Sequence, residues 1–171
     1  MSRLSKLTFG KLALALLVLG TSVALIGNNV MAISPTPQQR SLALHMQNAV
    51  VNGLKSYADA LGEKYTEGEH SGTNITIKDV INANTSSPIK SEEDYVKAQK
   101  HASDAQLLFV ELIPLLNASS PHHVIEIQSG LAMFKTLIDK KAPYNLAEDV
   151  VQSPILNHLR EVVQMNQTAV Q

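Results

Sequence analysis

The segment SEEDYVKAQKHASDAQLLFVELIPLL, residues 91–116, decides the fold of this chain. Its apolar and small residues recur at alternating steps of three and four, which is the spacing of one face of an α-helix. Ser91 and the three acidic residues after it are typical of a helix N-terminus, where a hydroxyl caps free N–H groups and negative charge faces the positive end of the dipole. We predict a helix over residues 91–116 whose buried seam is formed by Tyr95, Ala98, Ala102, Ala105, Phe109, Leu112 and Leu116.

Two further segments show the same periodicity. Residues 37–61 follow a cap at Thr36 and end before Gly62, a residue that commonly stops a helix. Residues 121–141 start with a second hydroxyl-plus-proline pair and place apolar side chains at the same alternating steps. Both segments are therefore predicted to be amphipathic helices that pack on residues 91–116.

A fourth amphipathic segment covers residues 146–165. Asn145 and Glu148 form a capping-box pattern at its start, and Ser153-Pro154 is predicted to interrupt and restart it. With short links between the last three segments, the chain is predicted to be all-α, an antiparallel four-helix bundle over residues 37–168.

The connection over residues 62–90 is long and polar. Connections of this length are uncommon in compact domains, so part of it should be structured or functional. Residues 76–83 fit either a short strand or a helical turn, and the sequence does not decide between them.

Residues 1–32 have the layout of a signal peptide. Three basic residues precede an uncharged apolar run over residues 12–26, and small side chains before residue 33 suit a signal peptidase. The alternative is an uncleaved N-terminal membrane anchor, although fifteen apolar residues rise only about 22 Å against a hydrocarbon core of ~30 Å. Residues 33–36 then form a tether, and the bundle is predicted to lie outside the cytoplasm, either secreted, periplasmic or anchored by its N-terminus.

Four Asn-x-Ser/Thr sequons follow the predicted signal. In an organism that N-glycosylates exported proteins, they would mark glycosylated surface loops. The alternative is simple richness in asparagine, serine and threonine. The four asparagines are Asn74, Asn84, Asn117 and Asn166.

Composition excludes several classes of function. The chain has no cysteine, so it holds no disulfide, thiolate zinc site or cysteine nucleophile. Its net charge is −1, and the predicted signal removes only basic residues, so a nucleic-acid partner is not expected. The usual hydrolase, nucleotide-binding and metalloprotease motifs are missing, and we therefore do not predict an enzyme.

Histidines followed by an acid three residues later recur on the last three predicted helices. This spacing places imidazole and carboxylate on one helical face, where they suit iron, zinc, copper or manganese. The alternative is a set of solvated local ion pairs. A metal site requires at least three of these side chains to converge within about 5 Å of one point. The candidate ligands are His101, Asp104, His122, His123, Glu126, His158 and Glu161.

Residues 97–150 also carry a pattern shared with a known family. The matching positions are Ala98, Phe109-x-x-Leu112-x-Pro114, Ser120-Pro121, Gly130-Leu131-x-x-Phe134-x-x-Leu137-Ile138 and Ala142-Pro143. This pattern resembles the extracytoplasmic helical domain that accompanies high-affinity iron permeases. The resemblance implies an accessory or sensory helical domain outside the cytoplasm. The acidic iron-binding motifs of the permease membrane helices have no counterpart in this sequence.

The sequence thus favours an exported, non-enzymatic helical protein that acts as a binding or accessory domain for a protein partner at the membrane or cell surface. Its own contact with a membrane would be limited to residues 12–32. The alternative is an extracytoplasmic protein that binds a transition-metal ion, and a third, more distant possibility is an exported hydrolase.

Overall fold

The computed structural model describes residues 36–65, 75–83, 86–116 and 121–164. All regular secondary structure in these ranges is helical, which confirms the predicted all-α class. The predicted signal and the four sequon asparagines lie outside the described residues. The helices are α1 Pro37–Leu61, α2 Ile77–Asn82, α3 Glu92–Leu116, α4 Pro121–Asp139, α5 Tyr144–Val150, a π-helical segment Val151–Asn157, and α6 His158–Gln164.

Local capping explains the ends of the long helices. The Thr36 hydroxyl accepts a hydrogen bond from the Gln39 N–H at 3.3 Å, while the Gln39 side chain accepts from the Thr36 N–H at 2.6 Å. Gly62 ends α1 in the left-handed conformation at φ 70°. Ser91 caps α3, because its hydroxyl oxygen lies 3.3 Å from the Asp94 N–H. These starts and stops agree with the sequence prediction.

The last predicted helix differs from expectation in two respects. Helix α5 begins at Tyr144 and has no side-chain cap, so the capping box predicted for Asn145 and Glu148 does not form. Glu148 instead accepts a hydrogen bond from the Tyr144 hydroxyl at 3.2 Å. The interruption predicted around Pro154 is a π-helical segment rather than a break, and it leads directly into α6.

The undecided residues 76–83 contain helix α2. Thr76 and Asp79 form a capping box at its start, with the Asp79 carboxylate 2.7 Å from the Thr76 N–H. At its other end, the Lys140 ammonium donates hydrogen bonds to the carbonyl oxygens of Val80 and Ile81 at 3.1 and 2.9 Å. A cation at a helix C-terminus is favourable because the free carbonyls there carry partial negative charge.

The long helices pack in antiparallel pairs. Helix α3 runs against α1, because the Ala60 carbonyl accepts from the Lys90 N–H and Gly53 contacts His101 further along α3. Helix α4 runs against α3, because the Tyr95 hydroxyl donates to the Ile138 carbonyl while Gln106 reaches the Leu131 carbonyl. No helix in the described ranges is long and apolar enough to cross a membrane.

One core unites these helices. All seven predicted seam residues of α3 are buried, with 6% exposure at most. The three alanines of the seam are buried, and α1 and α3 make the most extensive contact between any two helices described. Small side chains at this contact let the two backbones approach closely, while Phe109, Leu112 and Leu116 fill the wider half.

Tyr57 anchors the end of α4 from the core. Its side chain is fully buried, and its hydroxyl donates a hydrogen bond to the Ala142 carbonyl just beyond α4. Burial raises the pKa of this phenol well above its ordinary value, so the hydroxyl stays protonated and remains a donor.

We predict that Tyr57→Phe lowers the free energy of unfolding by about 1–3 kcal/mol, because it leaves a buried carbonyl without its donor. Urea denaturation measures this change. Tyr144→Phe is the matched control, since its hydroxyl bonds a half-buried carboxylate at 3.2 Å and its loss should cost less. Equal stability of Tyr57→Phe and the wild type would contradict the assigned hydrogen bond.

Gly130 lets α4 approach the π-helical segment. A Cβ atom at this position would lie 2.7 Å from Ile155 Cγ1 and 3.2 Å from two carbon atoms of Pro154. These are inner atoms of stiff side chains, so they cannot move aside without shifting the segment itself. Gly130 therefore fixes the distance between α4 and the chain that leads into α6.

We predict that Gly130→Ala lowers the free energy of unfolding by about 1–2 kcal/mol, because the overpacking cost exceeds the gain in helix propensity. Gly53→Ala is the control: its Cβ would meet His101 and Phe134 at 3.3 Å, which is a looser contact than the 2.7 Å at Gly130. The difference is measured by thermal and urea denaturation. A Gly130→Ala variant as stable as Gly53→Ala would contradict the close contact.

Candidate metal centre

Two helices bring two histidines into direct contact. His123 lies in the first turn of α4 and His158 begins α6, and their Nδ1 atoms are 2.9 Å apart. At this distance one Nδ1 carries the hydrogen and donates while the other accepts, so the two rings hold different tautomers when both are neutral. The contact joins residues 35 positions apart in the chain.

Glu161 completes a group of three donors. Its Oε2 lies 3.5 Å from Nδ1 of His123 and 3.6 Å from Nδ1 of His158. All three ligand atoms are within 4.8 Å of one another. His158 and Glu161 share one face of α6 because they are three residues apart, whereas His123 comes from the facing helix.

The environment of the group is graded from core to solvent. His123 is 9% exposed, His158 is half-buried, and the Glu161 side chain is 54% exposed. Burial lowers the pKa of His123 and the neighbouring His158 lowers it further, while the Glu161 carboxylate opposes both effects. His123 is therefore held in the neutral form, which is the form that binds a metal ion.

The three distances fit a small metal ion. In a tetrahedral site with bonds of about 2.0–2.1 Å, the ligand atoms lie about 3.3 Å apart. The observed separations are 2.9, 3.5 and 3.6 Å, so a single point lies about 2 Å from all three atoms. Two imidazoles and one carboxylate suit a first-row transition metal, with the exposed side of Glu161 as the route of entry.

The π-helical segment sets the position of this group on α6. A π-helical turn contains more residues than an α-helical turn, so it changes the rotation at which the next helix begins. His158 directly follows the segment, and Gly130 holds the segment close to α4 two turns beyond His123. The π-helical segment and its close contact with Gly130 together place His158 and Glu161 beside His123.

Of the three predicted pairs of a histidine with an acid three residues later, the structure brings one, His158 with Glu161, into the group of donors. Asp104 binds Lys100 at 3.0 Å on the surface of α3, and His101 packs beside Gly53 of α1. Glu126 lies on α4 outside the group of donors. The carboxylate that approaches His123 is that of Glu161 on α6. Of the seven predicted ligands, the structure brings His123, His158 and Glu161 together, with the exposed His122 beside them.

Comparisons with known proteins do not add to this picture. The chain has no significant match to a protein-family model, to a curated protein or to a solved structure. The resemblance to the helical domain of iron permeases therefore stays a prediction, and the metal centre depends on its own geometry.

The lowered pKa of His123 predicts a pH dependence of stability. Unfolded His123 takes up a proton near pH 6.5, whereas the folded residue takes one up only at a lower pH because its pKa is lowered, so the unfolded state binds more protons just below pH 6.5. The free energy of unfolding of the metal-free protein should therefore fall as the pH drops below about 6.5. Urea denaturation in a chelating buffer between neutral and mildly acidic pH measures this.

The control variant is His123→Asn, which keeps a polar side chain but does not titrate. The fall in stability over the same pH window should be smaller in His123→Asn than in the wild type. Identical pH profiles for the two proteins would contradict the buried, neutral state of His123.

Proposed function

We propose that this protein is an extracytoplasmic helical protein that binds one divalent transition-metal ion through His123, His158 and Glu161. The observation that carries the proposal is the convergence of three donor atoms from two helices at 2.9, 3.5 and 3.6 Å. Three donor side chains within about 5 Å of one point are what a metal site requires. It favours metal binding over the expectation of a purely accessory domain.

The choice of metal follows from the donors. Imidazole nitrogen and carboxylate oxygen suit zinc, copper and iron, and the absence of cysteine removes the soft thiolate ligands that favour Cu(I). A tetrahedral spacing favours Zn(II) in particular, because zinc has no geometric preference from its d electrons and four-coordinate sites are its usual form.

The location and the arrangement of helices are part of the proposal. Residues 1–32 begin with basic residues and continue with an apolar run, which supports export. The antiparallel contacts among α1, α3 and α4 support a four-helix bundle. Its fourth helix would consist of α5, the π-helical segment and α6 in sequence. A site at one end of such a bundle would stay open to metal from the surrounding fluid.

A second candidate function is binding of a protein partner. Val110 of α3 is 63% exposed, and it lines a groove of about 200 Å³ between α3 and α4 together with Phe109, Ile113 and Leu131. Exposed apolar side chains beside a groove are typical of an interaction surface. The accessory role is thus compatible with metal binding, since the groove and the donors involve different residues.

We expect the purified chain to bind one equivalent of Zn(II), and we expect His158→Ala to lower the affinity by at least about tenfold. Isothermal titration calorimetry measures the stoichiometry and the dissociation constant. His158 is half-buried at the start of α6 and is not one of the buried core residues, so its truncation leaves the core intact.

His101→Ala is the matched control, because His101 is a half-buried histidine that contacts α1 outside the donor group. It should bind Zn(II) with wild-type affinity. Failure of the wild type to bind Zn(II), or equal loss of affinity in His101→Ala and His158→Ala, would show that these donors do not form a site.

A further inference from the structure

We propose that His122 is a fourth ligand, so that the ion is held by three imidazoles and one carboxylate. This inference rests on the proposed metal site and specifies its coordination. A site of three protein ligands would leave a position open for water, as in catalytic zinc centres, whereas four protein ligands close it. The identity of the fourth group therefore decides what the site can do.

The three histidine rings already have the spacing of ligands around one ion. The ring centroids of His123 and His158 are 5.1 Å apart, and the centroid of His122 lies 5.8 Å from each of them. Three imidazoles bound tetrahedrally with bonds of about 2.0 Å place their centroids about 5 Å apart. His122 is thus equidistant from the other two rings and less than about 1 Å from the expected spacing.

This placement is not a necessary result of the sequence. Successive residues of an α-helix point in directions about 100° apart, so neighbouring side chains usually diverge. Here His158 of α6 stands opposite both His122 and His123 of α4, and its ring meets the His122 ring edge-on at 84°. An ion between the three rings would be in reach of all of them.

One side-chain rotation completes the site. The donor atoms that lie within 4.8 Å of one another belong to His123, His158 and Glu161, so the His122 ring must turn to present a nitrogen. His122 is exposed in the first turn of α4, where core packing does not hold its rotamer. The cost of that rotation is small compared with a metal–nitrogen bond.

A closed site would hold its ion rather than activate water. Four protein ligands leave no position for a substrate, so the chemistry expected is retention and transfer of Zn(II), and hydrolysis is disfavoured. The partially exposed Glu161 and the exposed His122 form the outer side of the site, where an ion would enter and leave.

Titration with Co(II), a spectroscopic substitute for Zn(II), tests the inference on the full chain. We expect the wild type to develop the intense visible absorption of four-coordinate Co(II), displaced by one equivalent of Zn(II). His122→Ala should weaken Co(II) binding by at least about tenfold and shift the spectrum toward the form with more bound water. Circular dichroism checks that the variant keeps its helical content.

The outcomes separate this inference from the proposed function. If the wild type and His101→Ala bind Co(II) and His122→Ala matches them in affinity and spectrum, the three-ligand site survives and the role of His122 is overturned. If His101→Ala loses as much affinity as His122→Ala, the effect is not specific and the inference is also overturned. If the wild type binds neither Co(II) nor Zn(II), both proposals fail.

Discussion

The contact between α4 and the π-helical segment determines the geometry on which the candidate site depends. Gly130 leaves no room for a methyl group against Ile155 and Pro154, so the two backbones are as close there as packing permits. His123 lies about two helical turns before Gly130 on α4. His158 comes four residues after Pro154, directly after the π-helical segment that packs against Gly130. A shift at the contact would move the histidines relative to each other, and a change of 1 Å is large compared with the tolerance of a metal site.

The sequence was sufficient for the helices because their determinants are local. Thr36, Ser91 and Gly62 mark ends that the structure confirms, and the seam of α3 is buried at every predicted position. Spacing also placed His158 and Glu161 on one face, which the 3.6 Å contact bears out. These features depend on residues only a few positions apart, where helical geometry leaves little freedom.

The remaining features depend on contacts between distant parts of the chain. The 2.9 Å contact of His123 with His158 depends on how far α6 is rotated about its own axis. The π-helical segment changes that rotation, and a sequence pattern with a constant period of 3.6 residues does not include the change. Spacing along one helix predicts Asp104 and Glu126 as partners of His101 and His123, but it does not show which side chains of other helices come near. The doublet of His122 and His123, together with the spacing of His123 and Glu126, is the local signal for the end of α4 where the candidate site lies.

The proposed site and the fold would stabilise each other, because the burial of His123 affects both. When both rings are neutral, the two Nδ1 atoms share one hydrogen across 2.9 Å. Burial of His123 disfavours its charged form, and the neutral imidazole is the form that binds a metal ion. Since an ion that binds only the folded chain adds its binding free energy to folding, about 2.7 kcal/mol at one hundred times the dissociation constant, metal would fasten α6 to α4. Helix α6, whose Leu159 and Val162 are buried in the core, is the element that would gain most from that link.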